Sequence, residues 1–179
     1  NSYKEGWSIF VSSLAVNLYT ATNIVVLGML TNNVIVGYYS AADKLITCVR
    51  RGIYAVSDAI YPFISKMMKD DISKGLQFIK KQIFLYLVVG LVGCTSLFFF
   101  SDTIVKLLFG ADYNLTVDVL RILSFVPLAV AISTVFGEET MLPLNMNSAY
   151  SRTLVLAAFF SLLSIFPLCY LWEIGRAHV

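Results

Sequence analysis

Long uncharged apolar runs alternate with short polar stretches along this chain. Trp7 to Leu30 covers 24 residues without a charge, Gln82 to Phe100 covers 19, and Thr153 to Trp172 covers 20. About 20 apolar residues are needed for a helix to cross the hydrocarbon core of a bilayer, so each run predicts a spanning helix. A fourth run, Ile122 to Gly137, is short alone but can borrow Val119 and Leu120, with Arg121 snorkelling to the interface. Pro127 and Pro167 predict kinks, which packed membrane helices tolerate.

The stretch from Leu45 to Ile64 has a different pattern. Wound at 100° per residue, its Leu, Ile, Val and Phe residues fall within an arc of roughly 100°. Lys44, Arg51 and Asp58, a heptad apart, lie almost opposite, with Asp43 and Arg50 beside them and Thr47, Tyr54 and Tyr61 on the same side. Cys48, Gly52, Ala55 and Ala59 make a narrow flank of small residues between the two faces. Burying Arg50, Arg51 and Asp58 in lipid would cost roughly 9 kcal/mol, against about 4 kcal/mol returned by the apolar residues. Such a helix does not span alone; it spans if its charged face meets water or counter-charges inside a bundle. An amphipathic helix lying on the membrane surface is the alternative. The small-residue flank favours the crossing, since such flanks let helix backbones approach closely. Tyr38-Tyr39 at the preceding end suits an interfacial belt.

Composition fits this pattern. Of the 179 residues 58% are hydrophobic and only 13% charged, with a mean hydropathy of +0.78; soluble domains carry about a quarter charged residues. The fold class expected is therefore all-α: a polytopic transmembrane helix bundle with about five spans, near 7–30, 36–65, 82–100, 118–137 and 153–172. The net charge of +2 is too small and too dispersed to attract nucleic acid. Cys48, Cys94 and Cys169 sit in apolar runs at spacings unsuited to metal and read as buried thiols.

Both ends read as truncated. The chain opens on Asn1 without a start methionine or signal peptide. The tail Glu173-Ile174-Gly175-Arg176-Ala177-His178-Val179 breaks with the preceding pattern and looks like a translated sequencing-adapter scar, so residues 1–172 are taken as the native part. His178, the only histidine, then carries no function.

Basic residues give an orientation. The stretch Lys66 to Lys81 holds Lys66, Lys69, Lys74, Lys80 and Lys81 and is expected to be a cytoplasmic loop, with Lys4 and Arg152 on the same side if there are five spans. The stretch Ser101 to Val117 holds only Lys106 and falls outside; Arg121 at its edge weakly opposes this.

The candidate substrate-cavity residues are Lys44, Arg50, Arg51, Tyr54, Asp58 and Tyr61, with Asn17 and Asn23 on the first run. Intramembrane charges usually serve function, although salt bridges that only hold the bundle would use the same residues. Ser13, Asn17, Thr20 and Asn23, at helical spacing, either extend a polar wall or hydrogen-bond between helices. Glu138-Glu139, in an expected loop Gly137 to Arg152, reads as a solvated acid pair at the membrane edge rather than a coupling site. Asn114-Leu115-Thr116 matches a glycosylation acceptor, a short and weak pattern. Metal-spaced ligands, a glycine-rich phosphate loop and a strand–turn–helix nucleophile are absent from the sequence, so neither an enzyme nor a cofactor is indicated.

Several segments, in order, resemble one family. Trp7-Ser8-Ile9-Phe10, Thr31-Asn32-Asn33, Val36-Gly37-Tyr38-Tyr39-Ser40-Ala41-Ala42-Asp43-Lys44 and Tyr61-Pro62-Phe63-Ile64-Ser65-Lys66 are similar to bacterial O-antigen flippases. Those are lipid-linked oligosaccharide translocases of the multidrug/oligosaccharidyl-lipid/polysaccharide exporter superfamily. Leu108-Phe109-Gly110 with Tyr113, Leu120-Arg121-Ile122-Leu123 and Met141-Leu142-Pro143-Leu144 extend the likeness.

The resemblance implies a transporter of two six-helix lobes in the bacterial inner membrane, this chain covering about helices seven to eleven in the second lobe. It implies flipping of undecaprenyl-pyrophosphate-linked sugar repeat units by alternating access. The partners would be that lipid-linked oligosaccharide, membrane lipids and the missing first lobe. The family's cavity is cationic, and Lys44, Arg50 and Arg51 match that role, diluted by Asp43 and Asp58. Rival expectations are an exporter of drugs or of peptidoglycan precursor, a membrane polysaccharide polymerase, and a non-transporting scaffold. Arg50-Arg51 speaks against cationic drugs, and the short external stretch of about 17 residues speaks against a polymerase.

Overall fold

A computed structural model of the chain describes residues 32–110 and 112–171, together with Trp7, Phe10, Leu14, Gly28 and Met29. Among the described residues every regular element is helical: α1 (Asn33–Asp70), α2 (Ile72–Phe109), α3 (Asn114–Leu123), α4 (Val126–Phe136), a π-helical turn (Gly137–Met141) and α5 (Asn147–Leu171). Residues 38–145 form one compact unit; 1–37 and 146–179 belong to another.

Within the first unit, α1 and α2 are 38 residues each, with a single residue between them. At 1.5 Å per residue each is about 57 Å long, nearly twice the hydrocarbon thickness. Asn32 starts α1 by accepting the Ile35 N–H on its side-chain oxygen at 2.9 Å. Asp71 ends α1 and starts α2 at once: its carboxylate accepts the Ser73 and Lys74 N–H groups at 2.9 and 3.3 Å, satisfying donors that an uncapped helix start leaves open. The loop expected over Lys66–Lys81 is therefore a continuation of both helices, folded at Asp71. Helix ends do not mark the hydrocarbon boundary, because amphipathic, lysine-bearing turns at the tip stay helical in water.

Two apolar clusters fix the direction of the elements. Near the hairpin tip, Ile64 and Met68 of α1 bury against Ile79 of α2 and Val135 of α4. At the other end, Ala42 and Ile46 of α1 pack with Val105 of α2 and with Val117 and Leu120 of α3. The hairpin α1–α2 is therefore antiparallel, and α3–α4 returns alongside α2 in the direction of α1. Gly75 lets the hairpin close tightly, since a Cβ there would lie 2.5 Å from Met68 Cγ and 3.3 Å from its Cα. Gly110 closes α2 at φ 93°, a left-handed backbone that favours glycine.

The break expected at Pro127 is present. The helix stops at Leu123 and restarts at Val126 with the proline in its first turn, where a missing N–H costs least. Ser124 Oγ donates to the Arg121 carbonyl at 2.7 Å across the break. Pro62, in contrast, sits inside α1, which continues through it. Arg121 does more than snorkel: its Nε donates to Ser101 Oγ at 3.1 Å and its Nη1 lies 3.4 Å from Asp118.

α2 and the stretch Asn114–Met141 are long and apolar enough to cross a membrane, and only 6% and 33% of their most apolar windows are buried. The core helix of a soluble protein would bury that surface; here Phe84, Leu85, Val88, Val92 and Phe99 point outward, as on a helix solvated by lipid. The run 7–30 and the tail 173–179 fall outside the described residues except at the five positions named above.

Candidate functional site

α1 follows its periodicity in part: Val49, Val56 and Phe63 of the apolar arc are exposed. Ala42, Ile46, Ser57, Ile64 and Met68 are buried against α2, α3 and α4, while Lys44, Arg51, Tyr54 and Asp58 are exposed. Thr47, Arg50 and Tyr61 lie at intermediate depth. The polar stripe predicted from the sequence thus faces away from both apolar clusters. Asn17 and Asn23 lie outside the described residues.

Within the stripe the two arginines differ. Arg50 Nη2 donates to Thr47 Oγ1 at 2.7 Å and to Asp43 Oδ1 at 3.5 Å, with the Arg50 and Asp43 side chains 24% and 28% exposed. Helical Cα–Cβ bonds tilt toward the N-terminus, so Arg50 reaches back two turns to Asp43. Arg51 would have to reach forward, against that tilt, to meet Asp58 two turns ahead. Among the described residues Lys44, Arg51 and Asp58 form no ion pair, whereas Asp43 is engaged by Arg50. Arg50 Nε is buried and lacks a hydrogen-bond partner, so even the paired arginine keeps a donor in reserve.

Two expectations about other residues are corrected. Cys48 is exposed rather than buried, because it lies at the edge of the packed face of α1; Cys94 is buried as expected. Glu139 is not part of a solvated acid pair. The expected loop Gly137–Arg152 is largely helical, and the π-helical turn rotates Glu139 to 0% exposure while Glu138 stays at intermediate depth.

Around Glu139 lies a polar group that sequence reasoning missed. Ser57 of α1 and Gln82 of α2 flank its carboxyl, and Tyr86 of α2 stands beside both Gln82 and Glu139. Ser57 and Gln82 are buried. Neither carboxyl oxygen of Glu139, neither end of the Gln82 amide, nor the Tyr86 hydroxyl completes a hydrogen bond. Five buried polar atoms left open in one place are unusual, because each costs desolvation energy. The sequence signal was an acid pair, Glu138-Glu139, one residue after the apolar run Val126–Phe136, but only the π turn shows which of the two is buried.

Next to this group, α1, α2 and α4 line a half-open apolar pocket of about 320 Å³. Gly52, Gly90 and Gly93 widen it, and Tyr86 lines it. Part of the expected small-residue flank of α1 is thus placed: Gly52 opens space rather than sealing a helix contact. Three or more His, Cys, Asp or Glu side chains do not gather anywhere among the described residues in a way that would hold a metal.

Residues 1–68 match the family model described as polysaccharide biosynthesis protein. Along 98% of its length the chain is 32% identical to an Escherichia coli (strain K12) protein named "Putative O-antigen transporter". A protein of the same name from Shigella dysenteriae is 28% identical over 94% of the chain. The chain spans less than half of these curated relatives, 43% and 42% respectively. No solved structure matches it. The matched N-terminal segment includes α1 up to Met68, the likeness to both relatives runs on through the π turn and α5, and together they support assigning the chain to the polysaccharide biosynthesis protein family.

Proposed function

We propose that the protein translocates undecaprenyl-pyrophosphate-linked polysaccharide repeat units from the cytoplasmic to the periplasmic leaflet of a bacterial inner membrane, by alternating access. In this reading the chain forms about five spans of the second lobe of a two-lobe exporter, and the polar stripe of α1 is part of the cavity wall. The observation that carries it is the polar face of α1: Lys44, Arg51, Tyr54 and Asp58 are all exposed on one side of the helix, away from both apolar clusters.

The chemistry is coherent. A pyrophosphate leaves water only if cations replace its hydration. With Asp43 committed to Arg50, Lys44 and Arg51 outnumber Asp58 on the exposed stripe, and the stripe is net positive. Tyr54, Tyr61 and Thr47 offer hydroxyls and aromatic faces to sugars, while the polyprenyl tail stays in lipid.

The test is charge replacement in the intact protein, with surface polysaccharide as readout. Arg51→Gln should reduce polysaccharide strongly and Arg51→Lys should restore part of it. Arg50→Gln should act more weakly, because half of its role is to pair Asp43. Normal polysaccharide from the double Gln variant would refute the assignment.

A further inference from the structure

We infer that Glu139 is a proton-binding site, loaded with a proton in this conformation, which couples translocation to proton movement. The inference rests on the transport reading above and adds to it the identity of a coupling ion and its residue.

Geometry carries the argument. Glu139 is 0% exposed, and both its oxygens lack hydrogen-bond partners. A buried carboxylate with no cation beside it and no completed hydrogen bond is costly, and taking up a proton neutralises it. The surroundings supply no counter-charge. Facing Glu139 are Ser57 from α1 and Gln82 and Tyr86 from α2. Of these only Tyr86 titrates, and it is neutral near pH 7. On its own turn Thr140 donates its hydroxyl to the Val135 carbonyl at 2.7 Å, and Glu138 is engaged in contacts of its own. The ion pairs Arg50–Asp43, Lys74–Asp71, Lys106–Asp102 and Arg121–Asp118 lie elsewhere.

A proton completes the group chemically. Once protonated, the carboxyl O–H can donate to the open Gln82 Oε1, while its carbonyl oxygen can accept from Gln82 Nε2 or the Tyr86 hydroxyl. The open donors and acceptors are then matched. Deprotonation reverses this: a bare carboxylate favours hydration and so favours a state in which α1, α2 and the π turn have parted. That is the differential affinity a coupling ion needs. The setting suits such a switch, since π turns inside α-helical segments recur at functional sites. Glu139 also sits beside Gln82, where the uncharged run of α2 begins, so a small opening exposes it to the lysine-rich end.

The test uses the intact protein reconstituted in vesicles, by infrared difference spectroscopy and by translocation under an imposed pH gradient. The carbonyl stretch of a protonated carboxyl should be present at neutral pH in wild type and lost in Glu139→Gln. The same variant should stay folded by circular dichroism and lose all stimulation of translocation by the proton gradient. Glu139→Asp should keep the gradient response in part. An unchanged infrared band in Glu139→Gln overturns the proposal, as does a gradient response that survives the substitution, or stimulation by a sodium gradient alone. Failure of the transport reading looks different, because deleting the whole protein would then leave surface polysaccharide unchanged.

Discussion

The closure of the α1–α2 hairpin gives the sharpest energetic test of the architecture. Gly75 lies where a Cβ would come within 2.5 Å of Met68 Cγ, 3.3 Å of its Cα and 3.4 Å of its backbone nitrogen. Met68 is 3% exposed and belongs to the cluster with Ile64, Ile79 and Val135. In an open helix, Gly→Ala stabilises by about 1 kcal/mol. At position 75 the added methyl must displace Met68 by about 1 Å from a packed site, and overpacking of this kind costs about 1–3 kcal/mol. Gly75→Ala should therefore be neutral or destabilising by up to about 2 kcal/mol. Met68→Ala alone should cost about 2–5 kcal/mol by leaving a cavity. In the Met68→Ala background, however, Gly75→Ala should cost less than in wild type, because the colliding Cγ is gone and only the tight backbone contacts remain. The two substitutions are then coupled by about 1–3 kcal/mol. Reversible denaturant unfolding of the intact protein in detergent measures all four corners of the cycle. Additivity within about 0.5 kcal/mol would refute the close hairpin.

Two further predictions follow from the same region. Asp71→Ala removes the acceptor for the Ser73 and Lys74 N–H groups and should cost about 1 kcal/mol in the same unfolding assay, with Asp71→Asn retaining most of it. The Lys74 ammonium, 3.6 Å from Asp71 and 75% exposed, adds little, so equal losses for Asn and Ala would contradict the capping role. For orientation, a cysteine at Asp112 should be labelled from outside intact cells by an impermeant thiol reagent while one at Lys74 is not; the reverse result would invert the proposed topology.

Sequence alone settled what depends on composition and period. The uncharged run Gln82–Phe100 required an apolar helix, and α2 carries it. The stripe of Lys44, Arg51, Tyr54 and Asp58 was fixed by 3.6 residues per turn, because any helix through those positions puts them on one side. Pro127 forced a break because its nitrogen cannot donate. The ordered segments from Trp7 to Leu144 were enough to point to the family before any geometry.

What tertiary structure alone decided was partner choice and helix length. Lys66–Lys81 looked like a loop because charge marks the edge of the hydrocarbon; it is helical because Asp71 caps α2 where α1 stops, and neither charge nor hydropathy registers that. The pairing of Arg50 with Asp43, and not of Arg51 with Asp58, is by contrast local to one helix and depends on the tilt of helical side chains toward the N-terminus. The burial of Glu139 depends on one π turn and on Ser57 and Gln82, which come from positions far apart in the chain. Periodicity orients residues about their own helix axis, but which face of another helix they meet is set by packing. For that reason the polar stripe was legible in the sequence and the buried carboxyl was not.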